Sequence, residues 1–172
     1  MPWIYLVLTL LQPTQSFEGP NGFDFFLGNW QASQRWLQED MTYNAFTNRV
    51  HVYKILQGHG IQDDNFKPEE GRETYFGSAM RIFDGENRRW ICRWYDGGKR
   101  VLGKDFFLAA NEAGFSGVID GQDQHGKYRD HLSFHHITQR QFRWKMVRRY
   151  EGLDRDFLIG EITYTRIEED TK

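Results

Sequence analysis

The run Phe23-Asp24-Phe25-Phe26-Leu27-Gly28-Asn29-Trp30, together with Arg166 near the far end of the chain, constrains the fold more than any other feature. It is an aromatic lead-in to a Gly-x-Trp phrase. In a small antiparallel barrel the first and last strands are neighbours. A Trp at the start of one and an Arg at the end of the other can then stack and plug one end. The opposite end is left open to a ligand. On this reading Gly28, Trp30 and Arg166 are structural and close the barrel.

The rest of the composition fits such a fold. A chain of 172 residues is long enough for one domain with a full core. Seventeen Gly against four Pro, with 16% aromatics, suit a sheet with many tight turns. The net charge of −2 offers no global field for nucleic acid or anionic membrane. The single cysteine, Cys92, excludes an intrachain disulfide and a multi-thiolate metal site.

The first sixteen residues stand apart from the rest. They carry no charged side chain, and Trp3 to Leu11 are almost wholly apolar. That stretch is too short to span a bilayer. It has the length of a secretory h-region, with small Thr14 and Ser16 where cleavage would fall, yet no Lys or Arg follows Met1. Two readings stand: a signal, giving a secreted or periplasmic protein, or an arm packed on the barrel of a cytoplasmic one. Residues 169–172 read as a solvated tail.

From residue 23 to 168 strand-like segments follow one another without linker or repeat, at 29–38, 46–57, 59–64, 75–84, 88–95, 101–108, 114–120, 127–136, 141–150 and 156–167. Such spacing predicts an all-β chain folded as one antiparallel up-and-down barrel of about eight to ten strands. A hairpin centred on Gln139 pairs Phe134 with Trp144, Leu132 with Met146, Asp130 with Arg148 and Tyr128 with Tyr150, all facing inward. A hairpin centred on Leu153 pairs Arg148 with Leu158, Trp144 with Ile162 and Phe142 with Tyr164, and brings Arg166 inward beside Trp30. A hairpin centred on Glu86 sets Trp90, Cys92 and Trp94 opposite Ile82, Met80 and Ser78, which points Arg81 outward.

Candidate binding residues follow from that register. Leu132, Phe134, Trp144 and Trp94 supply apolar wall, and Arg148 with Asp130, Tyr128 and Tyr150 a polar end. Arg148 suits a carboxylate or phosphate, with Asp130 orienting it or acting as a base; the plainer reading is a structural cross-strand ion pair. His131 and His135 share the outer face about 13 Å apart, too far to hold one ion, while His136 faces inward by alternation; no metal is expected. His59, between two glycines and near Asp63 and Asp64, reads as a turn residue, or as an acid–base partner if the protein is an enzyme. The basic run Arg140, Arg143, Lys145, Arg148 and Arg149 alternates with inward aromatics and makes no nucleic-acid platform.

The sequence resembles the lipocalin-like part of the calycin superfamily, and more closely a bacterial domain family of unknown function that opens with Phe-x-Phe-Leu-Gly-x-Trp. Three further phrases agree: Gly58-His59-Gly60-Ile61-Gln62-Asp63 as Gly-x-Gly-x-x-acid, Arg81-Ile82-Phe83-Asp84 as Arg-x-aromatic-Asp, and Trp90-Ile91-Cys92-Arg93-Trp94 as Trp-x-x-x-Trp. The resemblance spans 23–168 and implies a calycin-like barrel. It gives Arg81 weight that the outward register does not explain. Haem is not carried over, because Gln31-Ala32-Ser33-Gln34 follows Trp30 where haem-binding barrels of the superfamily have a glycine-rich opening.

These observations point to non-covalent binding of a small, mostly apolar or aromatic molecule with an acidic group inside the barrel, with no cofactor, no nucleic acid and no membrane span. Two alternatives stand beside it. One is a cyclase or isomerase using Asp130 or His59. The other is an interaction module with a filled core.

Overall fold

The structure, a computed structural model, describes residues 17–168. The expectations for the apolar segment 1–16 and the tail 169–172 lie outside the described residues. Eleven strands follow in order: β1 (Gly28–Leu37), β2 (Tyr43–Ile55), β3 (Gly60–Glu69), β4 (Arg72–Asp84), β5 (Arg89–Asp96), β6 (Val101–Leu102), β7 (Phe106–Asn111), β8 (Gly114–Asp123), β9 (Gly126–His135), β10 (Gln141–Tyr150) and β11 (Asp156–Arg166). Period-2 patterning drives them. In β1, buried Trp30, Ala32 and Gln34 alternate with exposed Gln31, Ser33 and Arg35.

Each strand pairs antiparallel with its neighbour. β1 meets β11 and β4 meets β5, so ten strands close into an up-and-down barrel. The two-residue β6 is a side ladder on the end of β5. Closure leaves no long free edge for another chain to pair with. Among the described residues no helix is long and apolar enough to cross a membrane.

One end of the barrel is filled with aromatic rings. The 3-10 turn Asp24–Phe26 tucks Phe23 and Phe26 inside, both fully buried. Phe23 stacks on Phe115 at 3.9 Å and meets Trp90 edge-on at 5.0 Å. Trp30 donates from Nε1 to the Phe26 carbonyl at 2.7 Å. Arg166 pairs with Trp30 across the closing seam, and its guanidinium lies 4.2 Å from the indole ring. The same guanidinium donates to the carbonyls of Gln139, Leu27 and Phe25 at 2.7, 2.8 and 2.9 Å. Gly28 turns the chain between them at φ 105°, where a side chain would be strained.

The β9–β10 register is the expected one at all four pairs. On β10–β11, Trp144 faces Ile162 and Phe142 faces Tyr164, but a bulge between Met146 and Val147 moves Arg148 opposite Phe157 rather than Leu158. The β4–β5 hairpin turns about the midpoint between Glu86 and Asn87, one residue off the expected pairing. Arg81 then pairs with Cys92 and Ala79 with Trp94. A one-residue slip reverses every face, so Arg81 points inward and is buried. The segment 101–108 is not one strand: Gly103, Lys104 and Asp105 break it, with Asp105 held by Arg93 at 2.5 Å. β3 and β4 run past the expected limits to a tight turn at Glu70-Gly71, both residues at positive φ. His136 lies past the end of β9 at φ 53° and is exposed, not inward.

Candidate functional site

Above the aromatic plug the barrel encloses a cavity of about 660 Å³. Its walls are chemically two-sided. Ile119, Leu132, Trp144, Met146 and Ile162 on β8 to β11 are apolar, whereas β1 and β3 contribute Gln34, Asp63 and Asn65. Trp94 and Phe106 complete the bore, and Phe46, Lys67, Phe76 and Asp96 stand toward the open rim.

The polar side is a single hydrogen-bonded chain of inward residues. Trp36 Nε1 donates to Gln34 Oε1 at 2.5 Å, and Gln34 Nε2 donates to Asn48 Oδ1. Asn48 Nδ2 donates to Asn65 Oδ1 at 3.0 Å, and Asn65 Nδ2 to Asp63 Oδ2 at 3.0 Å. Arg81 Nη1 closes the chain on Asp63 Oδ1. Every donor points toward Asp63, so the amide dipoles converge on its carboxylate. Asp63 and Arg81 are both buried. Burial pushes the Asp63 carboxyl above the ordinary carboxylate range, and the adjacent guanidinium only partly opposes this.

Asp63 forms the floor of the cavity, and Arg81 lies behind it. The Arg81 guanidinium lies 5.4, 5.3 and 5.5 Å from the Phe23, Phe26 and Phe134 rings, over the plug. Its Nε is buried with no hydrogen-bond partner. Tyr164 also lines the floor, its ring stacked on Phe142 at 4.3 Å and edge-on to Phe26 at 5.1 Å. Desolvation raises the Tyr164 phenol and keeps it protonated. Beside Arg81, Cys92 is buried and its thiol is pushed up to about 12, so it is inert.

Indole rings face one another across the bore. Trp36 packs against Trp144 at 5.4 Å and lies flat on Gly160, where an added Cβ would come within 2.6 Å of the ring. On the other side Trp94 covers Gly77, whose Cβ would fall 2.3 Å away. At the rim Lys67 Nζ sits 4.4 Å from the Phe46 ring and 5.0 Å from the Phe76 ring. A bulge at Asn65/Phe66 leaves Phe76 unpaired, which lets it join this wall.

Of the residues singled out in the sequence, Trp94, Leu132 and Trp144 line the cavity, and Phe134 packs below it in the plug. Asp130, Arg148, Tyr128 and Tyr150 are brought together at the open end. There the Arg148 guanidinium is shared between Asp130, at 2.7 and 2.9 Å, and Asp123, at 2.9 Å. It also lies 3.5 Å above the Tyr128 ring. His59 is exposed in the turn after β2, its backbone bonded to Leu56 and Phe83, and does not meet the cavity. His135 and His136 contact each other through their Nδ1 atoms on the outside. Among the described residues no group of three or more His, Cys, Asp or Glu is placed to hold a metal ion.

The amide chain, Tyr164 and the inward face of Arg81 are the parts that sequence reasoning missed. Their signal is a polar residue at an inward parity: Gln34 after Ala32, Asn48 before Val50, and Asp63 and Asn65 after Ile61. Asp63 and Arg81 end and begin two of the phrases quoted above, and the fold joins them.

No family model matches the chain, and no curated protein matches it in sequence. Among solved structures it is similar to the S-type phycobiliprotein lyase CPES from Guillardia theta, with a TM-score of 0.56 over 89% of this chain and 94% of that one. The identity is 8%, so the likeness is one of fold. The chain folds as a calycin-like, lipocalin-like β-barrel with an internal cavity.

Proposed function

We propose that the barrel binds a small, flat, mostly aromatic molecule carrying an acidic group. The cavity of about 660 Å³ carries this reading, being large enough for one such ligand and too large for a filled core. The indoles of Trp36, Trp94 and Trp144 offer faces for stacking a planar body. Asp63 at the floor accepts a hydrogen bond from an N–H or O–H edge. Lys67 at the rim takes the acidic group: among the described residues it makes no ion pair and rests on two rings. Arg148, already neutralised by Asp130 and Asp123, braces the open end instead. The similarity to a phycobiliprotein lyase supports a barrel that takes a small molecule. The resemblance to a bacterial domain family of unknown function adds weight to Asp63 and Arg81 without naming a ligand.

The test is a fluorescence titration with 1-anilinonaphthalene-8-sulfonate, a flat aromatic anion. Saturable one-to-one binding, weakened about tenfold or more in Lys67→Ala and in Trp94→Ala, is the expected result, since a charged contact is worth roughly 1.5–3 kcal/mol. Equal affinity in both variants contradicts the proposal.

A further inference from the structure

We propose that Asp63 and Tyr164 form a proton-transfer site that migrates a double bond along an unsaturated carbonyl compound held in the bore. This inference rests on the binding reading above and adds a reaction to it.

The geometry supplies the parts that such a reaction needs. Asp63 places a carboxylate on the floor of a mostly apolar cavity and is only 3% exposed. Both its oxygens are held by protein, one by Arg81 and one by Asn65, and Asn65 is itself fixed through Asn48, Gln34 and Trp36. The carboxylate is therefore oriented before any ligand enters, and each oxygen keeps acceptor capacity. Tyr164, 5% exposed, lines the same floor with its ring clamped between Phe142 and Phe26. Its hydroxyl is the one polar atom of that side chain and can donate to an acceptor held in the cavity. Asp63 and Tyr164 line one cavity, with the charge of Arg81 held directly behind Asp63. Arg81 lies behind the pair as a fixed positive charge with Nε unpartnered.

The step balances without a co-reactant. The Asp63 carboxylate removes a proton from carbon adjacent to the carbonyl, and the freed electron pair moves through the conjugated system onto the carbonyl oxygen. Tyr164 donates a hydrogen bond to that oxygen as its negative charge grows, and Arg81 stabilises the charge through space. The same proton then returns from Asp63 to a different carbon, the carbonyl re-forms and the double bond has shifted. Burial favours the roles: it raises the Asp63 carboxyl toward a useful base and holds Tyr164 in its donating form.

Hydrogen–deuterium exchange of 2-tetralone in D2O, followed by proton NMR, tests this without the natural substrate. The protein should exchange the C1 protons on the order of 10²-fold faster than the same concentration of acetate at equal pD. The rate should rise with pH through the elevated Asp63 carboxyl. Asp63→Asn should abolish the excess rate. Tyr164→Phe should lower it about tenfold with thermal unfolding unchanged, because the stacked ring remains; this variant and the pH profile decide the matter if Asp63→Asn does not fold. Exchange at the acetate rate, with 2-tetralone still quenching tryptophan fluorescence saturably, overturns proton transfer and leaves binding intact. Absence of both quenching and exchange overturns the proposal together with the binding reading beneath it.

Discussion

Asp63 on β3 and Arg81 on β4 form a buried ion pair that separates the cavity from the aromatic plug. Asp63 lines the cavity, and Arg81 lies within 5.5 Å of three plug rings. Both charges are largely removed from solvent, so each depends on the other. Removing one partner leaves the other uncompensated, and Asp63→Ala or Arg81→Ala should each cost about 3–5 kcal/mol. The double variant Asp63→Leu/Arg81→Met should recover most of that loss, because the pair repays its own desolvation only approximately. Urea unfolding of the three variants measures this; single losses under about 1 kcal/mol would contradict it.

Arg166 ties the closing seam to the turn beneath it through three carbonyls and the Trp30 ring. Arg166→Ala should lower stability by at least about 2 kcal/mol, and Arg166→Lys should recover little, since an ammonium cannot span the same three acceptors in one plane. Affinity for 1-anilinonaphthalene-8-sulfonate, measured on the folded fraction, should stay unchanged. An affinity loss without a stability loss would mean that this end contacts the ligand.

Gly160 gives Trp36 the room to lie against the wall. In Gly160→Ala the new methyl would meet the indole at 2.6 Å and drive it into the bore. The expected result is a stability loss of about 1–3 kcal/mol together with weaker ligand binding. Titration of Gly160→Ala beside wild type reads both, and unchanged affinity would show that Trp36 is not a binding surface.

Exposed ion pairs set the response to acid. Hydrogen bonds from Arg129, Arg93 and Arg149 hold Asp120, Asp105 and Asp156 below the ordinary carboxylate value of 3.8. A lowered folded-state pKa contributes stability that is present above the unfolded value and is lost as pH falls through the folded one. Asp63, raised by burial, has the opposite sign: its contribution is present below 3.8 and is lost as pH rises through its folded value. Thermal unfolding should therefore fall off below about pH 4, and 1 M salt should flatten that limb by screening the exposed pairs. A limb insensitive to salt would contradict this assignment.

The sequence made the sheet legible wherever patterning and turn chemistry agreed. The β9–β10 hairpin came out in register because Leu132 and Phe134 can be matched to Trp144 and Met146 in only one way without exposing them. The β4–β5 hairpin did not, because Gly85-Glu86-Asn87-Arg88 admits a turn one residue longer, and that single residue reverses Arg81. The Met146/Val147 bulge has no signature in residue type, so the Arg148 partner was misplaced by one. The cavity itself was legible only in part. Its apolar wall follows from alternation, while the chain from Trp36 to Arg81 depends on side chains of four strands meeting, which no single strand reveals.

The most direct measurement is one-to-one occupancy of the bore, read by native mass spectrometry on gently purified wild type and on Ala79→Trp, with 1-anilinonaphthalene-8-sulfonate added. Ala79 is buried on the cavity wall, paired with Trp94 on one side and with Asp63 on the other, and an indole there fills the space above the floor. The account predicts one bound molecule on wild type, whether co-purified or added, and none on Ala79→Trp at equal folded fraction. Equal occupancy of the two proteins would place the ligand outside the barrel and contradict it.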